Sequence, residues 1–382
     1  MFNYQEIVGF IQSVYKTREF IPLHMPHFGG NEKKYILDAI DSTFVSSVGQ
    51  YVNRFEEMMC QITGSKYAIA CVNGTSALHM SLILAGVKKN DLVLTQAVSF
   101  IATCNAIKYI SAEPLFIDID KTTLGLCPIS LENYLDQNTI IVNDVCIHSV
   151  TKQKISACVP MHTFGHPTQI EKIKKICDRY YIPLIEDAAE SIGSYYKKQH
   201  TGTFGLLGVF SFNGNKTVTS GGGGCIVTND EHLAKLGKHL STQSKIPHKW
   251  EFVHDNIGYN YRMPNLNAAM ACAQLEQLEK YLNSKREIAK KYENHFASTE
   301  IHFCKEPENA TSNYWLNSIL LPNHKSQIDF LQYSNDNGIM TRPIWKMLNK
   351  LSMFKDCMKA DLSNSNFIEA RLVNLPSSVI SE

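Results

Sequence analysis

The chain has 382 residues, with 37 Lys and Arg against 36 Asp and Glu, so its formal net charge is +1. The length predicts two domains, and the balanced charge excludes the basic surface that is typical of nucleic-acid binding. Eleven cysteines without a CxxC pair, and no run of about 18 apolar residues, exclude zinc ribbons and membrane-spanning helices. Without a secretory leader, we expect a cytoplasmic protein with reduced thiols.

The chain begins with two predicted helices and continues with a strand-helix alternation. Apolar residues between Ile7 and Tyr15 recur at helical spacing, and a second helix is expected from Asn31 to Ser42. Short apolar runs then alternate with helical segments; the runs are residues 67–72, 92–95, 114–119, 155–160 and 182–185. Strands that are apolar on both faces and separated by helices predict a mostly parallel sheet covered on both sides.

One pair of predicted strands breaks this rule, and the composition changes after it. About eleven residues join Leu207–Phe212 to Gly224–Thr228, too few for a comfortable parallel crossover, so we expect an antiparallel pair and a mixed sheet. From Pro264 to His295 the apolar spacing is helical, and a strand, a helix and a strand follow up to Pro343. We therefore predict a large α/β domain over residues 1–250 and a smaller α+β domain over residues 251–382.

Three motifs carry chemistry, and each also has an ordinary structural interpretation. Asn73–Ser76, at a strand end and a helix start, fits a phosphate site but also a simple helix cap. Ile185–Ser191 places carboxylates at a strand end, where α/β proteins bind ligands, although acids also favour helix starts. Ser211 and Lys216 precede a four-glycine run; such a lysine acts as a Schiff-base nucleophile, or is simply solvated in a hairpin loop.

In this order and spacing, the three motifs resemble the fold-type-I enzymes that use pyridoxal 5′-phosphate (PLP), and in detail the sugar-nucleotide aminotransferases of the DegT/StrS group. The resemblance covers nearly the whole chain and rests on segments 44–49, 73–76, 187–191, 211–216 and 258–263. Segments 29–35, 45–49 and 161–167 are similar to the branch that aminates nucleotide-linked 4-keto-6-deoxy-N-acetylhexosamines, in legionaminic acid and bacillosamine-type pathways. The resemblance to the fold-type-I enzymes implies a mixed, mostly parallel seven-stranded sheet with helices on both faces.

The resemblance also implies roles for cofactor-binding residues. Lys216 corresponds to the lysine that holds PLP covalently, and Asp187 to the carboxylate that keeps the ring nitrogen protonated. The other positions that match cofactor-binding residues are Gly74, Thr75, Phe100, Glu190, Ser211 and Asn260. Glu190 departs from the Gln or His that many family members carry, so its role is open. Asn260 matches a residue that crosses from a partner subunit, which implies a homodimer.

The same resemblance implies a substrate site, a reaction and alternatives. The expected substrate-binding residues are Ser46, Ser47, His162, Arg262 and Trp345. The expected reaction moves the amino group of L-glutamate to C4 of the keto sugar, carried on UDP or GDP. Three alternatives are open: amination at C3, a PLP-fold binding protein without turnover, and a nucleotide-binding dehydrogenase. The absence of a GxGxxG motif argues against the last of these. No metal site is expected, because Gly165 and Pro167 keep His162 and His166 off one helix face.

Overall fold

The computed structural model describes residues 3–380, and its elements follow the predicted alternation of strands and helices. The helices are α1 (Tyr4–Tyr15), α2 (Glu32–Asp41), α3 (Gln50–Thr63), α4 (Gly74–Leu84), α5 (Ile101–Tyr109), α6 (Pro128–Asn138), α7 (Ile170–Arg179), α8 (Glu231–Ser241), α9 (Asn265–Leu275), α10 (Leu278–Phe296), α11 (His324–Asp336) and α12 (Ser363–Glu369). The strands are β1 (Tyr67–Cys71), β2 (Leu92–Gln96), β3 (Glu113–Ile117), β4 (Thr139–Val142), β5 (Val145–His148), β6 (Ile155–Val159), β7 (Ile185–Asp187), β8 (Tyr195–Tyr196), β9 (Gln199–His200), β10 (Leu207–Ser211), β11 (Gly224–Thr228), β12 (His302–Phe303), β13 (Ala310–Thr311), β14 (Asn317–Leu320), β15 (Arg342–Pro343) and β16 (Leu372–Leu375).

Seven of these strands form one mixed sheet in the order β3-β2-β6-β7-β10-β11-β1. Strands β3, β2 and β6 pair in parallel, as do β7 and β10. Parallel bridges from Cys158 to Leu184 and from Met161 to Asp187 connect β6 to β7. Strand β11 is antiparallel to both of its neighbours, β10 and β1. The predicted seven-stranded, mostly parallel sheet and its antiparallel pair are therefore confirmed.

Helices cover both faces of the large sheet, as strands apolar on both sides require. In β1, Ala68 and Ala70 face the core formed with α3 and α9, whereas Ile69 and Cys71 face the core formed with α4 and α8. A second sheet of β12, β14, β16 and β15 packs with α10 and α11. The domain division at residue 250 remains a prediction, and two helices cross it: α1 packs in the core of the second sheet, and α9 packs in that of the first.

Two strands begin later than their apolar runs, for local reasons. The run at residues 182–185 contains Pro183, which has no N–H to donate, and β7 starts only at Ile185. The strand predicted from Tyr314 starts at Asn317, because Tyr314 has a positive φ of 46° and the Trp315 N–H donates to the Asn313 side chain. Both deviations redirect side chains near the candidate site.

Candidate functional site

The N-terminus of α4 and the end of β10 form a cradle for an anion. The Asn73 side chain accepts from the Ser76 N–H at 2.7 Å, while the N–H groups of Gly74 and Thr75 find no acceptor within residues 3–380. A Cβ on Gly74 would lie only 2.9 Å from the Ser211 Cβ, so glycine is required where these segments meet. Two free N–H groups at a helix start, beside a serine hydroxyl, suit a phosphate.

A buried carboxylate, Asp187, ends β7 in the middle of the sheet. The Thr103 hydroxyl donates to its Oδ2 at 2.7 Å, and the Ala189 N–H donates to its Oδ1 at 3.2 Å. Burial raises the pKa of Asp187, although both hydrogen bonds oppose that shift. A carboxylate so fixed in a dry site is suited to pair with a protonated ring nitrogen.

The lysine of the third motif, Lys216, reaches the same end of the sheet. Its side chain is 12% exposed, and Nζ donates to Oε1 of Glu190 at 3.0 Å and lies 3.9 Å from the ring centre of Trp315. The other Glu190 oxygen accepts from the Phe164 N–H at 2.9 Å. Burial raises the pKa of Glu190 to about 7, against the lowering effect of Lys216. The pair therefore places a carboxyl that titrates near neutrality beside an amine.

Aromatic side chains line this part of the site. Phe100 precedes α5, the helix that supplies Thr103, and its 47% exposed ring stands edge-on to Trp345 with centres 6.1 Å apart. The Trp345 ring also lies 5.0 Å from that of Phe164. The rings of Phe100 and Trp345 are therefore neighbours, and their stacking and sugar-facing roles stay predictions.

A second group of predicted residues lies around an open cavity of about 710 Å³. Ser47 and Arg262 line it together with Ser42, Phe44, Val48, Gly49, Gln50, Asn53, Thr242 and Asn265. The Ser46 carbonyl accepts from the Asn265 N–H at the base of this loop. The Arg262 Nε is buried and has no partner within residues 3–380. The Val72 N–H donates to the Tyr261 carbonyl, so the chain segment that carries Arg262 is bonded to the strand end that precedes the anion cradle.

Two further predicted residues lie elsewhere. Asn260 is exposed at the surface, bridged to Thr242. His162 does not join the substrate group, and its predicted contact with substrate is corrected here: the side chain is fully buried, its Nε2 pairs with Glu186 at 3.0 Å, and its Nδ1 accepts from the Thr168 N–H. Glu186 in turn accepts the N–H groups of residues 202, 204 and 205. His162 therefore holds the backbone behind Asp187.

Sequence reasoning missed residues that approach the site from distant parts of the chain. Thr103 binds Asp187 from 84 positions away. Asn313 donates to the carbonyls of Glu190 and Ile192 at 2.9 Å, and Trp315 Nε1 donates to the Asn215 carbonyl at 2.7 Å. The crowded polar and aromatic string at residues 312–317 was the one available signal, since such residues are rarely buried without partners.

The residues present fit PLP in three chemically distinct ways. The cradle of Gly74, Thr75 and Ser211 offers N–H and hydroxyl donors to a phosphate, and the cradle has no room for a Cβ at Gly74. The buried Asp187 suits a protonated pyridine nitrogen, and Lys216 supplies the amine for an aldehyde. Fold and site together define a transferase of the class that depends on PLP.

Comparison with known proteins identifies the group within that class. Residues 26–380 match the model of the DegT/DnrJ/EryC1/StrS aminotransferase family, and the chain belongs to this family. It is 36% identical over 339 residues to a GDP-perosamine synthase of Escherichia coli O157:H7, covering 88% of each protein. It is 37% identical to EpsN of Bacillus subtilis, covering 87% of this chain and 84% of EpsN, whose name places it among PLP-dependent aminotransferases.

Solved structures agree with this assignment. A DegT DnrJ EryC1 StrS aminotransferase from Brucella abortus superposes with a TM-score of 0.82 at 26% identity, covering 91% of this chain and 90% of that one. The protein is thus a PLP-dependent sugar aminotransferase. Among the described residues, no helix is long and apolar enough to cross a membrane, and no group of three or more His, Cys, Asp or Glu side chains is placed to hold a metal ion.

Proposed function

We propose that the protein transfers the amino group of L-glutamate to C4 of a nucleotide-linked 4-keto-6-deoxyhexose that carries an N-acetyl group at C2. The observation that carries the reaction is the buried set of Lys216, Asp187 and Glu190 beside the anion cradle. The similarity to GDP-perosamine synthases supports a nucleotide-linked sugar as the acceptor. The N-acetyl group rests on the resemblance of segments 29–35, 45–49 and 161–167 alone, and the choice between UDP and GDP is left open.

Each residue of the set has one task in this reaction. When bound, PLP supplies a conjugated ring that takes up the electron pair released at the donor carbon. Asp187 holds the proton on the ring nitrogen, and Lys216 Nζ moves a proton to and from the reacting carbon. Glutamate leaves as its 2-oxo acid, and the sugar carbonyl becomes an amine. Glu190, with its pKa near 7, is able to hold a proton next to Lys216.

The open cavity is the proposed site for the nucleotide part of the substrate. Arg262 has a buried and unpaired Nε there, and a diphosphate would supply the missing acceptor. Ser46 and Ser47 lie on the loop that borders the cavity, and Trp345 stands on the side toward Phe100. A molecule bound across both regions would present its sugar to Lys216.

The proposal includes a homodimer and a cytoplasmic location. Large apolar side chains are exposed on the segment at residues 246–257, including Trp250, Phe252 and Ile257, which are 73%, 80% and 81% exposed. An apolar patch of this kind favours coverage by another protein surface, and the predicted crossing residue Asn260 lies next to it. All eleven cysteines are free, which is typical of a reducing compartment.

The test is a comparison of four acceptors with L-glutamate as donor. GDP- and UDP-linked 4-keto-6-deoxyhexoses, each with a hydroxyl or an N-acetyl group at C2, are incubated with enzyme and PLP, and the product is analysed by mass spectrometry and NMR. We expect amination at C4 and the highest kcat/KM for an N-acetyl acceptor. An amine at C3, a preference for the hydroxyl sugars, or the absence of turnover with all four would refute the proposal. Lys216→Ala serves as the inactive control.

A further inference from the structure

One histidine near Lys216 has two buried ring nitrogens that form no hydrogen bond of good geometry with the described residues. His24 lies in the segment between α1 and α2, and both of its ring nitrogens are shielded from solvent without a hydrogen bond inside residues 3–380. A buried polar group that loses its hydrogen bonds to water costs about 1–3 kcal/mol. Buried polar groups are therefore rarely left unpaired, and each exception calls for an explanation.

The backbone around His24 is held firmly, so the position of the ring is specified. On one side, the Leu23 carbonyl accepts from the Ser377 N–H at 2.7 Å; on the other, the Met25 N–H donates to Ser378 Oγ at 2.9 Å. The buried Lys285 strengthens this anchor, because its Nζ donates to the carbonyls of Ser377 and Trp315 at 2.7 and 3.1 Å. The backbone that carries this imidazole is therefore fixed on both sides.

The imidazole belongs to the reacting end of the site. Its ring centre lies 6.4 Å from that of Trp315, the ring over which Lys216 Nζ is placed at 3.9 Å. Burial, and then the charges of Lys285 and Lys216, lower the pKa of His24 well below its ordinary value of 6.5, and only the backbone of Asn215 opposes this shift as a weak hydrogen-bond acceptor. The ring is therefore neutral, with one nitrogen that donates and one that accepts.

We propose that His24 is a substrate-binding residue, which donates a hydrogen bond to an oxygen atom of the molecule that reacts next to Lys216. The two molecules that react there in turn both offer such an oxygen: a carboxylate of the amino donor, and a hydroxyl, amide or phosphate oxygen of the keto sugar. The proposal rests on the aminotransferase reaction given above, and it adds a contact from a segment that precedes the large sheet.

The test replaces the imidazole by a ring that forms no hydrogen bond. His24→Phe fills the space and removes an unpaired polar group, so we expect an unchanged or higher melting temperature. The donor half-reaction is followed as the loss of the visible cofactor band with L-glutamate, and the acceptor half-reaction as its return with the keto sugar. We expect the apparent Kd or KM of one of the two substrates to rise about 10-fold, and the affected half-reaction identifies the source of the oxygen.

The chain offers a matched control in His166. This residue is also buried with both nitrogens unpaired, but it packs edge-on against Tyr314, and neither Lys216 nor Lys285 affects its pKa, which burial lowers to about 4. His166→Phe is expected to leave both half-reactions unchanged. Unchanged constants in His24→Phe, or equal losses in both variants, would overturn the proposal. Failure of the proposed function is distinguishable, because the wild-type enzyme itself would then not aminate the sugar.

A direct binding measurement separates recognition from turnover. The nucleotide-linked amino sugar formed by the wild-type enzyme is titrated calorimetrically into wild type and into His24→Phe, both loaded with pyridoxamine 5′-phosphate, with which an amine does not react. If the sugar supplies the oxygen, its Kd rises about 10-fold in the variant. If glutamate supplies it, the sugar Kd is unchanged and the donor half-reaction alone is weakened. If the constants for both substrates are the same in His24→Phe as in the wild type, His24 does not bind substrate.

Discussion

The cofactor half of the site and its substrate half are built differently. Around Lys216, which is 12% exposed, the carboxylates are buried and have partners from the same chain: Glu190 binds Lys216 and the Phe164 N–H, and Asp187 binds Thr103. Around the 710 Å³ cavity, Arg262 keeps an unpaired Nε, and Phe44 and Val48 are 57% and 65% exposed. The described chain thus surrounds Lys216 with its own partners, whereas the cavity that we propose for the nucleotide is open.

This difference predicts which substitutions should abolish activity and which should only weaken it. A buried charge whose partner is removed pays the full cost of desolvation, so changes around Lys216 have large effects. Residues at an open rim are solvated, and changes there mainly alter affinity. The contrast between the halves therefore predicts a descending order of effects, from the amine itself to the exposed apolar segment.

The largest effect is expected from Lys216→Ala. No other amine in the described part of the site is placed to move the proton, so transamination should fall roughly 10⁴-fold or to background. Amine formation is measured by chromatography, with the melting temperature as the check on folding. Lys238→Ala is the matched control, because this half-exposed lysine pairs with Glu56 away from the cradle and should keep full activity. Residual activity above about 1% would contradict the assigned role of Lys216.

A smaller loss is expected from Asp187→Asn. The amide cannot hold a proton on the ring nitrogen, and we expect kcat to fall about 100-fold to 1,000-fold while the protein stays folded. Thr103→Val, which removes only the 2.7 Å hydrogen bond to Asp187, should cost about 10-fold. Steady-state kinetics with saturating substrates measure both. Equal losses in the two variants would mean that Asp187 acts through its surroundings and not through its charge.

Those parts of the cofactor half that could be predicted from the sequence lie in short, continuous segments of the chain. Strand ends, helix caps and the Ser211–Lys216 spacing occupy short segments, and apolar periodicity orders them on the sheet. Thr103, Asn313 and Trp315 escaped prediction because they reach the site through packing between segments far apart in the chain. His162 failed for a related reason: in the irregular segment after β6, no period indicates which way a side chain points.

The two halves also differ in how pH acts on them. Burial raises the pKa of Glu190 from its ordinary 4.5 to about 7, so the folded chain keeps a proton that the unfolded chain has lost. The unfolding free energy of the protein without cofactor should therefore decrease as pH rises from about 4.5 to about 7, and this contribution should level off above that pH. Glu190→Gln should remove that slope, as measured by urea unfolding between pH 5 and pH 8.

The control for this titration is a carboxylate that is not buried. Glu231→Gln changes an exposed residue paired with Lys235, and burial cannot shift its pKa strongly. We expect this variant to keep the slope of the wild type. If Glu190→Gln also keeps it, the carboxyl that loses its proton near neutrality is not Glu190, and the charge balance at Lys216 must be assigned to another group.

The smallest effect, and the one that tests the open half, is expected from the exposed segment. Ile257→Asp places a charge on a side chain that is 81% exposed and that we propose is covered by a second copy. The dimer should dissociate about 10-fold more readily, measured by sedimentation equilibrium, and kcat/KM for the nucleotide sugar should fall at low protein concentration. The cofactor band and the donor half-reaction should be less affected, because Lys216, Asp187 and Glu190 come from one chain and only the predicted contact of Asn260 crosses between subunits.

A second exposed residue tests whether the subunits meet at this segment. Val150, next to the β4–β5 hairpin, is 77% exposed, and Val150→Asp makes the same kind of change far from Arg262 and the cavity. We expect it to leave both the oligomeric state and the kinetics unaltered. If Val150→Asp dissociates the dimer and Ile257→Asp does not, the subunits meet at the hairpin, and the open cavity is then a complete substrate site that needs no second chain.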